Sequence, residues 1–157
     1  MISMVVHTLH VVLAGMWLGG VVFTTSVVSP ALKTMKWGEV ERLAVRSVIG
    51  KQYARVGTVN LVLLLVFAIA DGLLKGFGAI LYLEYVLLLV VFGLVATHGA
   101  YFGRRLVQLA EAERHAESPE EARAFVQERH ALQKVSFRVS LLDVLISAVV
   151  VGLAVNA

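Results

Sequence analysis

The chain has 157 residues, of which 59% are hydrophobic and 16% are charged, and its mean hydropathy is +0.82. Soluble domains carry about a quarter charged residues, so this composition excludes an ordinary soluble domain and predicts one integral membrane domain over residues 1–157. The absence of cysteine excludes disulfide bonds and thiolate metal ligands. The basic residues flank apolar segments, so the net charge of +3 is interpreted as membrane topology, and we expect lipid but no nucleic acid as a partner.

Four apolar segments are long enough to cross a bilayer, which needs about 20 residues in a helix. They cover residues 2–28, 56–74, 80–102 and 137–155. Each is expected to be helical, because a lone strand in lipid leaves its backbone groups unpaired. The predicted fold class is therefore all-α: a four-helix transmembrane bundle, with an amphipathic interfacial helix and a cytoplasmic helical hairpin in the two long connections.

The first segment combines two histidines with a pair of glycines. His7 and His10 are three residues apart, so they share one face of a helix, and Trp17 continues that face. Gly15 and Gly19 form a small-xxx-small pair on a different face, where another helix could pack closely. The segment lacks the basic region and the cleavage site of a secretory signal, so we expect it to remain in the membrane.

The connection between the first two segments predicts a short amphipathic helix. Apolar residues repeat at helical spacing within residues 37–50, with charged residues between them. This helix would lie at the membrane interface, with Trp37 at headgroup level and Gly50 at its end. The alternative is a helix that packs on the inner end of the bundle.

The connection between the last two segments predicts the helical hairpin. The third helix is expected to continue to about Ala116, and the fourth to begin after Ser118. Ser118 can cap that helix, Pro119 suits its first turn, and Glu121 stands where a capping box needs an acidic side chain.

The basic residues predict the orientation of the bundle. Six lie between the first two segments and seven lie between the last two, whereas the middle connection has only Lys75. The positive-inside rule then puts the two charged connections in the cytoplasm and both termini outside, with the bundle in the cytoplasmic membrane.

Ionisable residues inside the apolar segments form two groups at different depths, and both are functional candidates because such groups are costly in a membrane. At about 1.5 Å of rise per residue, the outer group lies within about 12 Å of the outer edge. This outer group consists of His7, His10, Asp71 and Glu84. His98 lies roughly 16 Å deeper than His10, near the level of Asp143.

The outer group has the chemistry of a metal site. Imidazole suits copper, zinc, iron or nickel, carboxylates complete the set, and the nearby thioethers of Met1 and Met4 would favour Cu(I). Alternatively, His10, the deeper histidine, could be the axial ligand of haem b, with Trp17 lining the porphyrin. The remaining interpretation is a set of interfacial polar groups that hydrogen-bond to each other and to water.

The inner group predicts a proton relay or a second ligand pair formed by His98 and Asp143. The alternative is a set of ordinary interhelical hydrogen bonds. His10 and His98 are not expected to share one iron, because the two nitrogens of a bis-histidine site lie about 4 Å apart.

Short motifs resemble known membrane protein families. The first helix resembles CopD-type copper-resistance proteins and a related group of uncharacterised four-helix membrane proteins, through His10, the run Trp17-Leu18-Gly19-Gly20 and the run Ser29-Pro30-Ala31-Leu32. Residues 129–134 are similar to the start of the last helix in that second group. A looser similarity to HemJ-type protoporphyrinogen oxidases rests on His10, on Thr97-His98-Gly99, and on the four-helix layout. The resemblance implies a haem or copper ligand at His10 and makes His98 a candidate cofactor contact.

These observations support one main hypothesis and two alternatives. The main hypothesis is a membrane-embedded metal-centre protein, with haem b or copper near the outer face, that acts in redox chemistry or metal handling. A haem-dependent oxidoreductase would be its enzymatic form, and a redox or metal-delivery protein its partner. The first alternative is a non-catalytic assembly or accessory subunit, open to homo-oligomer formation, that acts through Gly15, Gly19 and the hairpin. The second is a small ion or metal transporter in which the two polar groups are stations on one path.

Overall fold

The computed structural model describes all residues from Met1 to Ala157, and they form four long helices and no strands. The helices are α1 (Ile2–Thr34), α2 (Glu39–Lys75), α3 (Ala79–Arg114) and α4 (Pro119–Asn156). Each is long and apolar enough to cross a membrane. The prediction of an all-α four-helix transmembrane bundle is therefore confirmed.

The helices run up and down, and the two ends of the bundle differ in their chemistry. The end that contains His7, Asp71 and Ala157 is called the histidine end. The opposite end, where the charged connections lie, is called the basic end. Lys75 near the end of α2 donates a hydrogen bond to the carbonyl of Ala157 after α4 (3.1 Å), which places those two helix ends together.

The predicted amphipathic segment is helical, but it is not a separate helix ending at Gly50. It forms the first turns of α2, which continues through Gly50 without interruption for 37 residues. A glycine that terminates a helix usually takes a positive φ. The chain has one such residue, Gly76, with φ 99°, and it follows the last residue of α2. Gly50 only weakens the helix, by about 1 kcal/mol relative to alanine.

The predicted hairpin is present at the basic end, formed by the last turns of α3 and the first turns of α4. Ser118 Oγ accepts a hydrogen bond from the backbone N–H of Glu121 (3.1 Å), so the predicted cap is confirmed. Arg129 on α4 is 3% exposed and forms ion pairs with Glu113 on α3 (3.0 Å) and Glu39 on α2 (3.1 Å). This buried guanidinium joins the hairpin to the start of α2.

Two wide helical turns of the π type interrupt α1 and α3 near the basic end. They cover Thr24–Val28 and His98–Phe102. The first has a clear cause in Pro30. In a regular α-helix its ring would clash with the carbonyl of Ser26, and its nitrogen could donate no hydrogen bond. The wide turn before Pro30 lets α1 continue to Thr34.

The core of the bundle is built around Trp17. Between Ile2 and Phe23 the buried residues of α1 are His10, Ala14, Trp17 and Val21, and they lie on the face predicted from the spacing of His10 and Trp17. Trp17 contacts apolar side chains of the other helices, and its Nε1 donates a hydrogen bond to Ser147 Oγ on α4 (2.9 Å). A polar bond at this depth fixes the rotation of α1 relative to α4, since the alternative is an unpaired N–H.

The close helix approaches occur at other glycines than the pair predicted for packing. Gly15 and Gly19 are exposed, with no atom within 4 Å of where a Cβ would lie. A Cβ on Gly57 would instead lie 2.9 Å from Cζ3 of Trp17, and one on Gly20 would lie 2.9 Å from Tyr53. The packing face of α1 is thus the face that carries Trp17, and the Gly15–Gly19 face points away from the bundle.

We expect the substitution Gly57→Ala to destabilise the protein by about 1–3 kcal/mol, because the new methyl group overpacks a buried indole whose position is fixed by Ser147. The matched variant Gly19→Ala adds the same methyl group in open space and should be neutral or slightly stabilising. Equilibrium unfolding of the purified protein in detergent, followed by circular dichroism, measures both. Equal midpoints for the two variants would contradict the assigned packing face.

Candidate metal centre

Three helices bring four ionisable side chains together at the histidine end. His7 and His10 come from α1, Asp71 from α2 and Glu84 from α3. The side chains of His10, Asp71 and Glu84 are fully buried, whereas that of His7 is 27% exposed. The outer group of the sequence analysis is therefore one physical cluster, with His7 at its edge.

The two carboxylates lie on either side of the His10 ring. His10 Nε2 is 2.7 Å from Glu84 Oε1, and His10 Nδ1 is 3.7 Å from Asp71 Oδ2. The same Asp71 oxygen lies 2.8 Å from His7 Nδ1. Asp71 thus bridges the two imidazoles, and His10 is held between two acidic residues from different helices.

Local packing at the turn between α2 and α3 sets the spacing of the two carboxylates. Gly76 reverses the chain with its positive φ, and the ring of Phe77 then packs against Gly72, where a Cβ would lie only 2.6 Å from the ring. Tyr85 on α3 donates a hydrogen bond to the carbonyl of Ala68 on α2 (3.1 Å). These contacts bind the start of α3 to the end of α2, so Glu84 and Asp71 both face α1.

Lys75 is a member of the cluster that the sequence analysis did not identify. Its Nζ lies 3.3 Å from Asp71 Oδ2. The sequence signal was available, because residues four apart in a helix are neighbours on its surface. By sequence alone, Lys75 enters only as a topology residue of the short connection. The cluster therefore contains two carboxylates, one ammonium group and two imidazoles.

Several buried polar atoms of the cluster have no hydrogen-bond partner in the protein. They are His10 Nδ1, Asp71 Oδ1 and Glu84 Oε2. Leaving a buried polar atom unpaired costs about 1–3 kcal/mol. All three atoms can accept a proton or bind a cation. The cluster therefore retains capacity for a positively charged or hydrogen-bond-donating ligand.

The geometry fits a metal ion through three of the four residues. One nitrogen of each histidine and one carboxylate oxygen of Asp71 all lie within 4.8 Å of one another. Ligand atoms on a tetrahedral ion lie about 3.4 Å apart, because each bond is about 2.0–2.1 Å long. The 2.8 and 3.7 Å separations across Asp71 Oδ2 bracket that value, so small side-chain adjustments would suffice.

Glu84 has a different position from the other three residues. It contacts the opposite nitrogen of His10, Nε2, and an ionised carboxylate can only accept a hydrogen bond. With Glu84 as the acceptor, the proton of this bond lies on Nε2, and a neutral His10 then has its lone pair on Nδ1. Carboxylates that orient metal-binding histidines make this contact in many metal sites.

The cluster has a short route to the surrounding medium through His7. A shallow cavity of about 290 Å³ lies beside His7, between α1 and α4. Its other lining residues are Thr8, Val11, Val12 and Val155. Met1 and Met4 are 100% and 69% exposed, so their thioethers do not line the cluster.

The inner polar residues do not form a comparable site. Ser147 Oγ donates a hydrogen bond to Asp143 Oδ1 (3.4 Å), and Asn60 donates one to the Leu13 carbonyl (3.0 Å). The His98 ring packs against Phe102, with ring centres 5.6 Å apart, and makes no hydrogen bond to Asp143. Trp17 contacts Ser147 and Tyr53. Asn60 and Trp17 thus make contacts between helices, whereas the contacts of Asp143 and His98 lie within a single helix.

Comparison with known proteins gives one match. A family model described as "Domain of unknown function (DUF4149)" matches residues 12–115, about two thirds of the chain. That range includes Asp71 and Glu84 and begins just after His10. No curated protein and no solved structure matches the chain.

We expect the substitution Glu84→Leu to lower the free energy of unfolding by about 1–3 kcal/mol, because it leaves the N–H of His10 buried without an acceptor. The comparison variant is Glu128→Leu, which removes a carboxylate from an exposed ion pair with Arg105 and should cost about 1 kcal/mol or less. Detergent-based equilibrium unfolding of both variants measures the difference. If Glu128→Leu proved the more damaging, the buried contact of Glu84 with His10 would have little energetic importance.

Proposed function

We propose that this chain, which belongs to the DUF4149 family, binds one transition-metal ion at the histidine end of its transmembrane bundle and takes part in metal handling. The observation that carries the proposal is the meeting of two imidazole nitrogens and a carboxylate oxygen within 4.8 Å. His10 Nδ1 and Asp71 Oδ1 are buried there without partners. Such unpaired groups are expensive in a membrane, and a bound cation would offset that cost.

The proposed ligands are His7, His10 and Asp71. Glu84 is a positioning residue: by accepting the Nε2 proton of His10 it directs the Nδ1 lone pair toward Asp71. Lys75 holds Asp71 in its present orientation and would have to share that carboxylate with an incoming ion. The ion would therefore compete with an ammonium group for Asp71, which favours exchange over permanent retention.

The donor set favours copper(II) or another borderline divalent ion over copper(I). The ligands are nitrogen and oxygen atoms, and the thioethers that would favour the monovalent ion are exposed. Copper(II) binds such sites most tightly among the divalent first-row ions, so copper is the proposed metal, with zinc and nickel(II) next.

Haem b is the competing cofactor for the same histidine. A porphyrin needs an open space beside the axial nitrogen, but the His10 ring is fully buried and its Nε2 lies against Glu84. The cavity at this end adjoins His7 and is shallow. This enclosure favours a bare ion over haem.

The location of the cluster suggests where the ion would be exchanged. By the positive-inside rule the basic end faces the cytoplasm, so the histidine end lies near the outer face of the membrane. The partly exposed His7 would be the first residue to meet an ion or a metal-delivery protein there.

The test is metal analysis together with an absorption spectrum of the purified protein, after removal of bound metal with a chelator and reloading with copper(II). We expect about one copper per chain and no Soret band. Asp71→Asn and His7→Ala should lose most of the copper, since each removes a proposed ligand. Glu84→Gln should weaken binding by about 10- to 100-fold, as outer carboxylates of metal sites commonly do.

The matched control is His98→Ala, which removes a histidine of the same bundle that lies outside the cluster and should leave the copper content unchanged. A Soret band that depends on His10 would show that the bound cofactor is haem and not a bare ion. Copper binding that is equally lost in His98→Ala, or absent from the wild-type protein, would contradict the proposal and favour an assembly or accessory role.

A further inference from the structure

A cavity of about 630 Å³ lies at the basic end, on the opposite side of the membrane domain from the metal cluster. Three helices surround it: the last turns of α1, the first turns of α2 and the middle of α4. Its charged and polar lining residues are Thr25, Ser29, Lys33, Glu39, Arg42, Arg46, His130, Gln133 and Lys134. None of them contributes to the histidine end.

The lining of this cavity has a large excess of positive charge. It contains four basic side chains and one carboxylate, Glu39. Glu39 is already shared by Arg42 and Arg129. The other three basic residues, Lys33, Arg46 and Lys134, take part in none of the ion pairs of the chain. Three cations from three helices thus face one space without an anionic partner.

A buried hydrogen-bond donor without a partner belongs to the same lining. The Nε of Arg42 is buried and has no hydrogen-bond partner in the protein. The wide turn of α1 adds the hydroxyl groups of Thr25 and Ser29 to the lining, because Pro30 forces α1 to open there. The site therefore offers guanidinium, ammonium and hydroxyl donors together.

Apolar residues complete the lining of the cavity. Leu32 and Leu43 are buried at its wall, and Phe137, at the start of the fourth apolar segment, lies exposed at its edge. The cavity is far larger than an inorganic anion needs. It can hold a charged head together with part of an attached apolar or ester group.

We propose that this cavity binds a phosphate group, carried either by an anionic phospholipid of the adjacent leaflet or by a soluble phosphate compound. Arginine forks and lysine ammonium groups are the preferred partners of phosphate oxygens. Basic pockets between transmembrane helices on the cytoplasmic side commonly bind lipid phosphates. Arg46 and Arg42 supply the guanidinium contacts, and Lys33 and Lys134 approach from the neighbouring helices.

The experiment compares lipid and soluble phosphate on the same delipidated protein in detergent. Native mass spectrometry measures binding of phosphatidylglycerol, with phosphatidylcholine as the zwitterionic reference, and a parallel titration uses inorganic phosphate as competitor. We expect phosphatidylglycerol to bind more tightly than phosphatidylcholine. Arg46→Gln should weaken that binding by about tenfold to a hundredfold, the effect of removing one charged hydrogen-bond donor.

Two further variants supply a second test of the cavity and a control outside it. Lys134 is exposed and unpaired, so Lys134→Gln should keep the fold and still weaken binding. Arg104→Gln removes an exposed basic residue of the same end that does not line the cavity, and it should bind like the wild type.

The arms of the experiment distinguish the source of the phosphate. Failure of inorganic phosphate to compete assigns the site to lipid, whereas competition assigns it to a soluble phosphate compound. The proposal is overturned if the Arg46 and Lys134 variants bind phosphatidylglycerol as tightly as Arg104→Gln does and inorganic phosphate does not bind. Copper content plays no part in this readout, so the outcome is independent of the metal proposal.

Discussion

The structure depends on one interaction: a buried imidazole, His10, held between two carboxylates from two other helices. Burying two acidic groups in an apolar bundle is tolerable only when each has a close partner. His10 is the partner of Glu84 through Nε2, and His7 and Lys75 are the partners of Asp71, which lies 3.7 Å from the other nitrogen of His10. These contacts connect α1, α2 and α3 at one level. Lipid exerts no hydrophobic force between helices, so such polar contacts and close packing must specify how the helices associate.

Below this level, packing around Trp17 determines how the helices associate. The indole fills the space left by Gly57 on α2 and donates a hydrogen bond to Ser147 on α4. The same face of α1 therefore carries His10 at one height and Trp17 about two turns further along. A rotation of α1 that broke the Trp17 contacts would also move His10 away from its carboxylates, so the site and the core are fixed by a single helix face.

The sequence was sufficient for the helices and for four members of the cluster, but not for Lys75 or for the roles within the cluster. Apolar segment length predicted the four spans, and helical rise predicted that His7, His10, Asp71 and Glu84 share a level. Helical rise gives the depth of a residue along the bundle but not the direction in which its side chain points. It therefore could not distinguish the position of Glu84, which contacts Nε2 of His10, from that of Asp71, which faces both imidazoles. The glycine motif was also ambiguous. Spacing identified Gly15 and Gly19 as a smooth surface, whereas the residue that needed to be small was Gly57, because a large neighbour lies opposite it.

The two ends of the bundle have opposite imbalances of charge and of hydrogen-bonding groups. At the histidine end, buried acceptor atoms of His10, Asp71 and Glu84 lack donors. At the basic end, Lys33, Arg46 and Lys134 line a cavity without an anionic partner. The unpaired buried acceptors lower the stability of the isolated chain, the like charges around the cavity repel one another, and each effect would be relieved by an external ion of the opposite sign. Since any ligand that binds only the folded state stabilises it by mass action, the protein should be most stable when a cation is bound at one end and a phosphate at the other. The positive-inside rule would place the phosphate site against the cytoplasmic leaflet, where anionic lipid is available, and the cation site toward the outside.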